Sequence, residues 1–406
     1  MNFSLTISLF ISYVFLSAFL EITLGARIVP ADIVLLLIVI VTMLTSIKKR
    51  IISLPRIFVS FVPLIISLSI SVMVAQNKIS ALFELAIMIF GFVGSISIYN
   101  VINTLSDSQL AKLLLGYTYS IGVLTLLCLI DFFFLPGLIS SRNLGGIQGP
   151  FRNTGQAGSF FVVHLFIILS LYVTRLIPRN LINAVIILMI MIALILTFKR
   201  ASILSFILGC IFYVCFLIFS NSRQDKKLGI VSLLAIGLFS IFITTAFFFA
   251  LDNVEQASSR FSYKFSSDVV DGFGDGFIAE NIKSSLNAFT DSPLFGVGLG
   301  NVSGVYQFHE IHSTYFGILA YGGIFGVLTY LFFVAHILGG AFSGRKWRKT
   351  NKWAAFLFIL TPFILAMFVA WGYTYHLRKR EFWFLIALIA LAINRLRISR
   401  EMKNIG

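Results

Sequence analysis

Two short stretches of this chain hold residues whose types and spacing could do chemistry. The first, Asp291-Ser-Pro-Leu-Phe-Gly-Val-Gly-Leu-Gly-Asn301, is a glycine-rich turn. The second, His312-Ser-Thr-Tyr-Phe-Gly-Ile-Leu-Ala-Tyr-Gly-Gly-Ile-Phe-Gly326, sets a histidine at the mouth of a long apolar run. An imidazole with a pKa near neutrality at the start of a membrane span can accept a proton from a hydroxyl, the alternative being a plain interfacial residue. Gly296, Gly298 and Gly300 alternate but do not form GxGxxG, and no strand–helix unit surrounds them, which excludes a dinucleotide site. They suit a tight turn that brings backbone amides close to a ligand or a helix end. Gly317, Gly322, Gly323 and Gly326 would allow close helix packing, with Gly322 and Gly326 at GxxxG spacing. His309 and His312 are three apart, not four, and lack a third ligand, so no metal site is expected. Asp268, Asp271 and Asp275 do not fit an EF-hand loop and read as a polar loop.

A second set of candidates is cationic. Lys199 and Arg200 sit in Leu196-Thr-Phe-Lys-Arg-Ala-Ser202, a connection between two apolar runs with almost no room for a loop. A charge so close to hydrocarbon is expensive unless it is paired or faces a cavity, which makes both functional candidates; the alternative is a snorkelling pair that marks a turn. Arg142 and Arg152 lie among glycines and asparagines, where guanidinium groups and backbone amides can converge on an anion, or where two arginines are simply solvated. His164 and His336 fall inside apolar runs and suit interhelical hydrogen bonds. His376 has no evident partner.

The elements that must position these residues are membrane helices. With 58% hydrophobic residues, 12% charged and 44 Phe in 406 positions, a soluble domain is excluded. The apolar residues come in runs of roughly 17–25, long enough to cross a bilayer, and without the alternation of barrel strands. Twelve runs are expected, at 3–20, 31–47, 57–75, 79–103, 110–135, 156–177, 181–198, 201–219, 229–250, 312–340, 353–373 and 381–394. The fold class is therefore all-α, a single polytopic membrane domain. The first run is expected to be retained, because no small-residue cleavage site follows it. Two longer connections, 136–155 and 251–311, are expected outside; in the second, Ile282, Leu286 and Phe289 predict a short helix on the membrane surface or over a cavity.

The net charge of +15 has a topological explanation. With the N-terminus inside, 19 of the 31 basic residues fall on the cytoplasmic side, as the positive-inside rule requires, so no nucleic-acid partner is expected. Arg378, Lys379 and Arg380 break that bias. Either they attract anionic headgroups or pyrophosphate, or the span count is off by one. Cys128, Cys210 and Cys215 lie in spans and imply neither disulfides nor zinc.

Three separated elements resemble the O-antigen ligase and polymerase family. Gly149-Pro-Phe-Arg-Asn-Thr-Gly-Gln-Ala157 is similar to that family's G-x-F-x-N-x-N-x-x-A stretch. Leu196-Thr-Phe-Lys-Arg-Ala-Ser202 is similar to its L-T-x-S-R-G/A turn, with Arg200 in the place of the family arginine. The glycine-rich pair resembles the family's signature, with His312 at the histidine of H-N-x-Y-L. The chain departs from the pattern at Ser313, where asparagine is usual, and at Tyr321, where many members carry glutamate. It also has Ile278 where many members have a loop arginine, Lys283 being the nearest base.

The resemblance implies a membrane glycosyltransferase that moves a glycan from a polyprenyl-pyrophosphate carrier onto a glycan or lipid acceptor, facing the periplasm or exterior of a bacterial inner membrane, with both termini cytoplasmic. It implies His312 and Arg200 as catalytic residues, and Arg142, Arg152, Lys199, Lys283, Asn301 and Tyr315 as contacts for pyrophosphate or glycan. No cofactor or metal is implied. A transporter or flippase for lipid-linked glycans is the competing reading; it would place essential charges at mid-membrane depth, whereas these candidates cluster at one face.

Overall fold

Long runs of apolar residues have one stable state in a bilayer, the helix, because lipid offers no partner for a free N–H or C=O. Among the described residues, helices occupy eleven of the twelve expected runs. The computed structural model describes residues 3–18, 22–23, 27–49, 53–135, 137, 139, 146–219, 226–227, 229–230, 245, 248, 258, 277–307 and 310–405. Most of the run expected at 229–250, together with Arg142, His309 and the aspartates at 268–275, lies outside the described residues.

In chain order the helices are α1 (Phe3–Leu16), α2 (Pro30–Lys49), α3 (Arg56–Val59), α4 (Val62–Val74), α5 (Lys78–Asn103), α6 (Asp107–Phe133), α7 (Thr154–Val173), α8 (Leu181–Leu196), α9 (Arg200–Ile218), α10 (Phe277–Asp291), α11 (Thr314–Phe342), α12 (Lys352–Ala370) and α13 (Arg380–Ile405). Among the described residues eight helical segments are long and apolar enough to span a membrane, and α1, α2 and α8 are shorter apolar helices. The fold is all-α apart from a two-residue antiparallel ladder, β1 (Ile22–Thr23) with β2 (Arg27–Ile28). Helix starts carry polar caps: Asn77, Asn153, Asn180 and Asn351 each accept from backbone amides of the first turn, and Ser106 with Gln109 forms a capping box.

Helices α12, α7 and α13 form the inner layer, with 83%, 72% and 72% of their most apolar segments buried, against 39% for α5 and α9 on the outside. Phenylalanine fills the interior. Phe61 packs edge-on against Phe333 and Trp383, at 4.8 and 4.9 Å between ring centroids, and is tilted against Phe92. Phe363 stacks between Phe166 and Tyr213. Such ring pairs add about 0.5–1.5 kcal/mol beyond the area they bury.

Polar contacts gather at two ends of the bundle. At the first end Asn77 meets Asn301, Ile147 meets Leu196, Thr314 meets Trp371, and Arg380 meets Asp32. At the second end Asn100 holds Ser53, Asn394 holds Asn103, Arg395 pairs with Asp107, and Arg400 donates to Ser343 O. The Arg378-Lys379-Arg380 triplet lies at the first end, where it meets Glu84, Glu310, Ser159 and Asp32. Helix α9 finishes at the second end, where Leu217 faces Arg348 and Lys349 across a cleft, whereas α10 lies at the first.

The centre of the first end is a break in α11. Gly323 leaves helical geometry (φ 58°, ψ −155°), and the glycine-rich stretch docks into the gap. Val297 N donates to Ala320 O (2.9 Å) and Gly298 N to Tyr321 O (3.2 Å), while Ile324 N donates to Pro293 O (2.9 Å) and Phe325 N to Leu294 O (3.3 Å). Ser71 of α4 adds a hydroxyl bond to Tyr321 O. The glycines thus serve a helix interruption. Gly296, at φ +71°, rests so closely on the Tyr321–Gly322 peptide that a Cβ would overlap its backbone. Gly296→Ala is expected to destabilise the protein by about 2 kcal/mol or more and to lower its melting temperature in detergent. Gly339→Ala, at a position with open space around it, is expected to leave the melting temperature unchanged or slightly raised.

Candidate functional site

His312 is exposed and stands between two anchors. Its own N–H donates to Asn281 Oδ1 (3.2 Å), on α10. Ser313 next caps α11 by accepting from Phe316 N, and Thr314 clamps the helix start to the last connection. Thr314 N donates to Trp371 O (2.9 Å), and Thr314 Oγ1 donates to Thr374 O (2.7 Å). Because that single hydroxyl proton is spent on a carbonyl, the 2.7 Å contact between Thr314 Oγ1 and His376 Nδ1 requires the imidazole to be the donor. His376 also stacks on Trp371 with centroids 3.3 Å apart, and its burial pushes its pKa well below the usual range, which keeps the ring neutral. His376 therefore positions the start of α11, a role that its lone appearance in a loop did not signal.

The helix predicted around 280–289 is present as α10, and its polar side makes the contact with the protein. Asn281, Ser284, Ser285 and Ala288 are buried against the protein, whereas Leu286 is 46% exposed. Small polar residues make the tertiary contact because they bond into it: Asn281 Oδ1 accepts from His312 N and from Gln307 Nε2, and Ser284 donates to Tyr306 O. Lys283 lies on the exposed side of this helix.

Asn301 ties the glycine-rich stretch to α5. Its Oδ1 accepts from Asn77 N (2.6 Å), and its Nδ2 donates to Asn77 O (3.2 Å) and Leu299 O (3.0 Å). Beside this clamp opens a polar cavity of about 530 Å³, lined in part by Ser80, Glu84, Ser303 and Glu310. Tyr315 points elsewhere. Its hydroxyl donates to Phe368 O, and its ring lines an apolar groove of about 540 Å³ with Phe212, Phe216, Leu365 and Val369, between α9, α11 and α12.

The cationic turn is built by strain and close packing. Phe198 is buried in the left-handed region at φ 52°, which costs a non-glycine residue roughly 1–2 kcal/mol. It closes α8 and turns the chain so that Lys199 and Arg200 begin α9 directly. Residues 146–158 pack over this turn. Ile147 N donates to Leu196 O (2.8 Å), and a Cβ on Gly158 would lie 3.0 Å from Lys199 Cβ and 2.8 Å from Ser202 Oγ. Lys199 thus lies against the first turn of α7. Arg152, just before the Asn153 cap, is exposed.

The last connection joins the two halves of this end. Arg378 bridges Glu84 (2.5 Å) and Glu310 (3.0 Å), two residues from His312, and lies over the Tyr375 ring. Arg380 makes a two-pronged pair with Asp32, and Lys379 reaches Ser159 on α7 (2.8 Å). The fold therefore gathers His312, Asn301 and Lys283 on one side, and Lys199, Arg200 and Arg152 on the other, with residues 371–381 between them.

Residues 182–331 match the family model described as O-antigen ligase. The match supports the O-antigen ligase and polymerase family. No curated protein matches the chain. The matched segment runs from α8 through the cationic turn, α10, the glycine-rich stretch, His312 and the break in α11. Of the expected interhelical histidines, His164 bonds Tyr117 of α6 (2.7 Å), whereas His336 donates within its own helix to Phe332 O. In the matched segment Asn301→Ala would strip the Asn77 backbone of both partners. A loss of about 1–3 kcal/mol is expected, measured as a lower melting temperature in detergent, with Asn301→Asp falling between the two because it keeps the acceptor.

Proposed function

We propose that the protein transfers a glycan from a polyprenyl-pyrophosphate carrier to an acceptor sugar hydroxyl, at the first end of the bundle. The observation that carries this reading is the gathering at one end of a histidine and a cationic turn, far apart in sequence, around a connection that bonds Thr314 beside the histidine and Ser159 on the helix that packs against the turn. That end faces the periplasm or exterior. The second end carries Arg345, Lys346, Arg348, Lys349 and Lys352 together with the close of α13, and is assigned to the cytoplasm with both termini.

The chemistry divides between the two sides. The acceptor hydroxyl oxygen attacks the anomeric carbon, and its proton passes to the imidazole of His312. The bond from that carbon to the carrier's pyrophosphate oxygen breaks with inversion, and the electron pair leaves on the pyrophosphate. Arg200 and Lys199 neutralise the charge that develops there, a task for protein cations in place of Mg²⁺. Arg142, Arg152 and Lys283 are assigned to further contacts with the pyrophosphate or glycan. Asn301 shapes the polar cavity, which suits a sugar. The apolar groove that Tyr315 lines lies beside the His312 end, where an isoprenoid tail can lie while its headgroup reaches the cations.

Ser313 caps α11 as an asparagine would. The test is a transfer assay with purified protein and lipid-linked donor, together with the glycan profile of cells that lack the protein. His312→Ala is expected to lower transfer about 10²–10⁴-fold and Arg200→Ala about 10²–10³-fold, both inserting normally. Single repeat units stalled on the carrier identify a polymerase, and long chains stranded on it identify a ligase. Full transfer by a well-inserted His312→Ala protein would remove the base, and an unchanged cellular profile would favour a transporter.

A further inference from the structure

Arg378, Lys379 and Arg380 are consecutive, yet the fold sends them to three different neighbours. The two arginines are held by carboxylates, Arg378 by Glu84 and Glu310 and Arg380 by Asp32. Both hold loops and helices together. Lys379 turns instead toward α7, where its Nζ donates to Ser159 Oγ (2.8 Å), and that hydroxyl donates in turn to Glu381 Oε1 (2.8 Å).

Lys199 reaches the same helix from the cationic turn. A Cβ on Gly155 would lie 3.5 Å from both Cε and Nζ of Lys199, so its ammonium rests over that glycine. Gly155 and Ser159 are four apart in α7 and are neighbours on one face, about 6 Å from each other. Two ammonium groups therefore lie over successive turns of a single helix face. A pyrophosphate carries negative oxygens on two linked phosphates, and each phosphate can meet one cation.

The environment of Lys379 fits an anion-dependent role. Burial pushes its ammonium down to about 8, Glu381 opposes that shift, and Lys199 adds repulsion. Glu381, reached through Ser159, offsets part of the repulsion between the two like charges, and an anion bound beside them would offset more.

We propose that Lys379 and Lys199 together bind the pyrophosphate of the lipid-linked donor across the Gly155–Ser159 face of α7. This rests on the transfer reading above and adds a pyrophosphate-binding residue from the last connection to it. The ligand class is a phosphate-bearing lipid, with pyrophosphate favoured over a phospholipid headgroup because the two cations are paired.

The test is calorimetric titration of the full-length protein in detergent with geranylgeranyl pyrophosphate, and separately with phosphatidylglycerol, with the melting temperature of every variant measured alongside. The wild type should bind the pyrophosphate more tightly than the phospholipid. Lys379→Gln should weaken pyrophosphate binding about tenfold or more, and Lys379→Arg should recover most of it. In transfer assays Lys379→Gln should raise KM for the donor far more than it lowers kcat. If Lys379→Gln proves poorly folded, Lys199→Gln and Lys379→Arg carry the same comparison from the two sides of the face. Wild-type binding that is unchanged in a folded Lys379→Gln protein overturns this proposal alone. Equal binding of phosphatidylglycerol, lost in the same variants, overturns it in favour of a phospholipid site. Failure of the wild type to bind pyrophosphate overturns the donor assignment and this proposal together.

Discussion

A helix interrupted inside a membrane protein leaves amides and carbonyls that lipid cannot satisfy, and the first end of this protein is organised around one such interruption. The break in α11 at Gly323 exposes the Ala320 and Tyr321 carbonyls and the Ile324 and Phe325 amides, and residues 293–298 bond to all four. The match is reciprocal: the loop needs the break to pair its own backbone, and the break needs the loop. Once the loop is docked, Asn301 is carried to α5, and the chain that follows leads to His312 above Asn281. The glycines are thus explained by backbone approach, and the histidine's position follows from it.

The second organising element is the short connection between α12 and α13. It ties α11 through Thr314 and His376, α5 through Arg378 and Glu84, α2 through Arg380 and Asp32, and α7 through Lys379 and Ser159. Charged groups near hydrocarbon are tolerated when they are paired, and here the pairing fixes the relative positions of four helices. The helices it joins include α7 and α13 of the inner layer, so the end of the molecule that gathers the candidate residues rests on its most enclosed part.

Much of this was legible beforehand. Hydropathy alone marked the spans, because backbone satisfaction in lipid leaves no alternative to a helix. Lys199 and Arg200 stood out for the same reason, since charges between two apolar runs have few places to be. The short helix at 277–291 was legible from periodicity, but the contacts that seat it were not. Spacing marked Ile282, Leu286 and Phe289 as its apolar face, whereas Asn281, Ser284 and Ser285 pack because they find hydrogen-bond partners there. The gap in α11 was hidden as well: GxxxG spacing suggested helix packing, and a left-handed glycine inside an apolar run leaves no mark on hydropathy.

By itself, the order of residues determined an all-α membrane protein with polar and basic candidates gathered at one end, because transfer into lipid depends on composition along each segment. Only the tertiary structure decided which candidates share a neighbourhood. It separated Lys379 from two arginines that differ from it by a single position, gave His376 a partner, and made the glycine-rich stretch complete a broken helix. Those outcomes depend on where distant backbone groups come to rest, which local sequence does not encode.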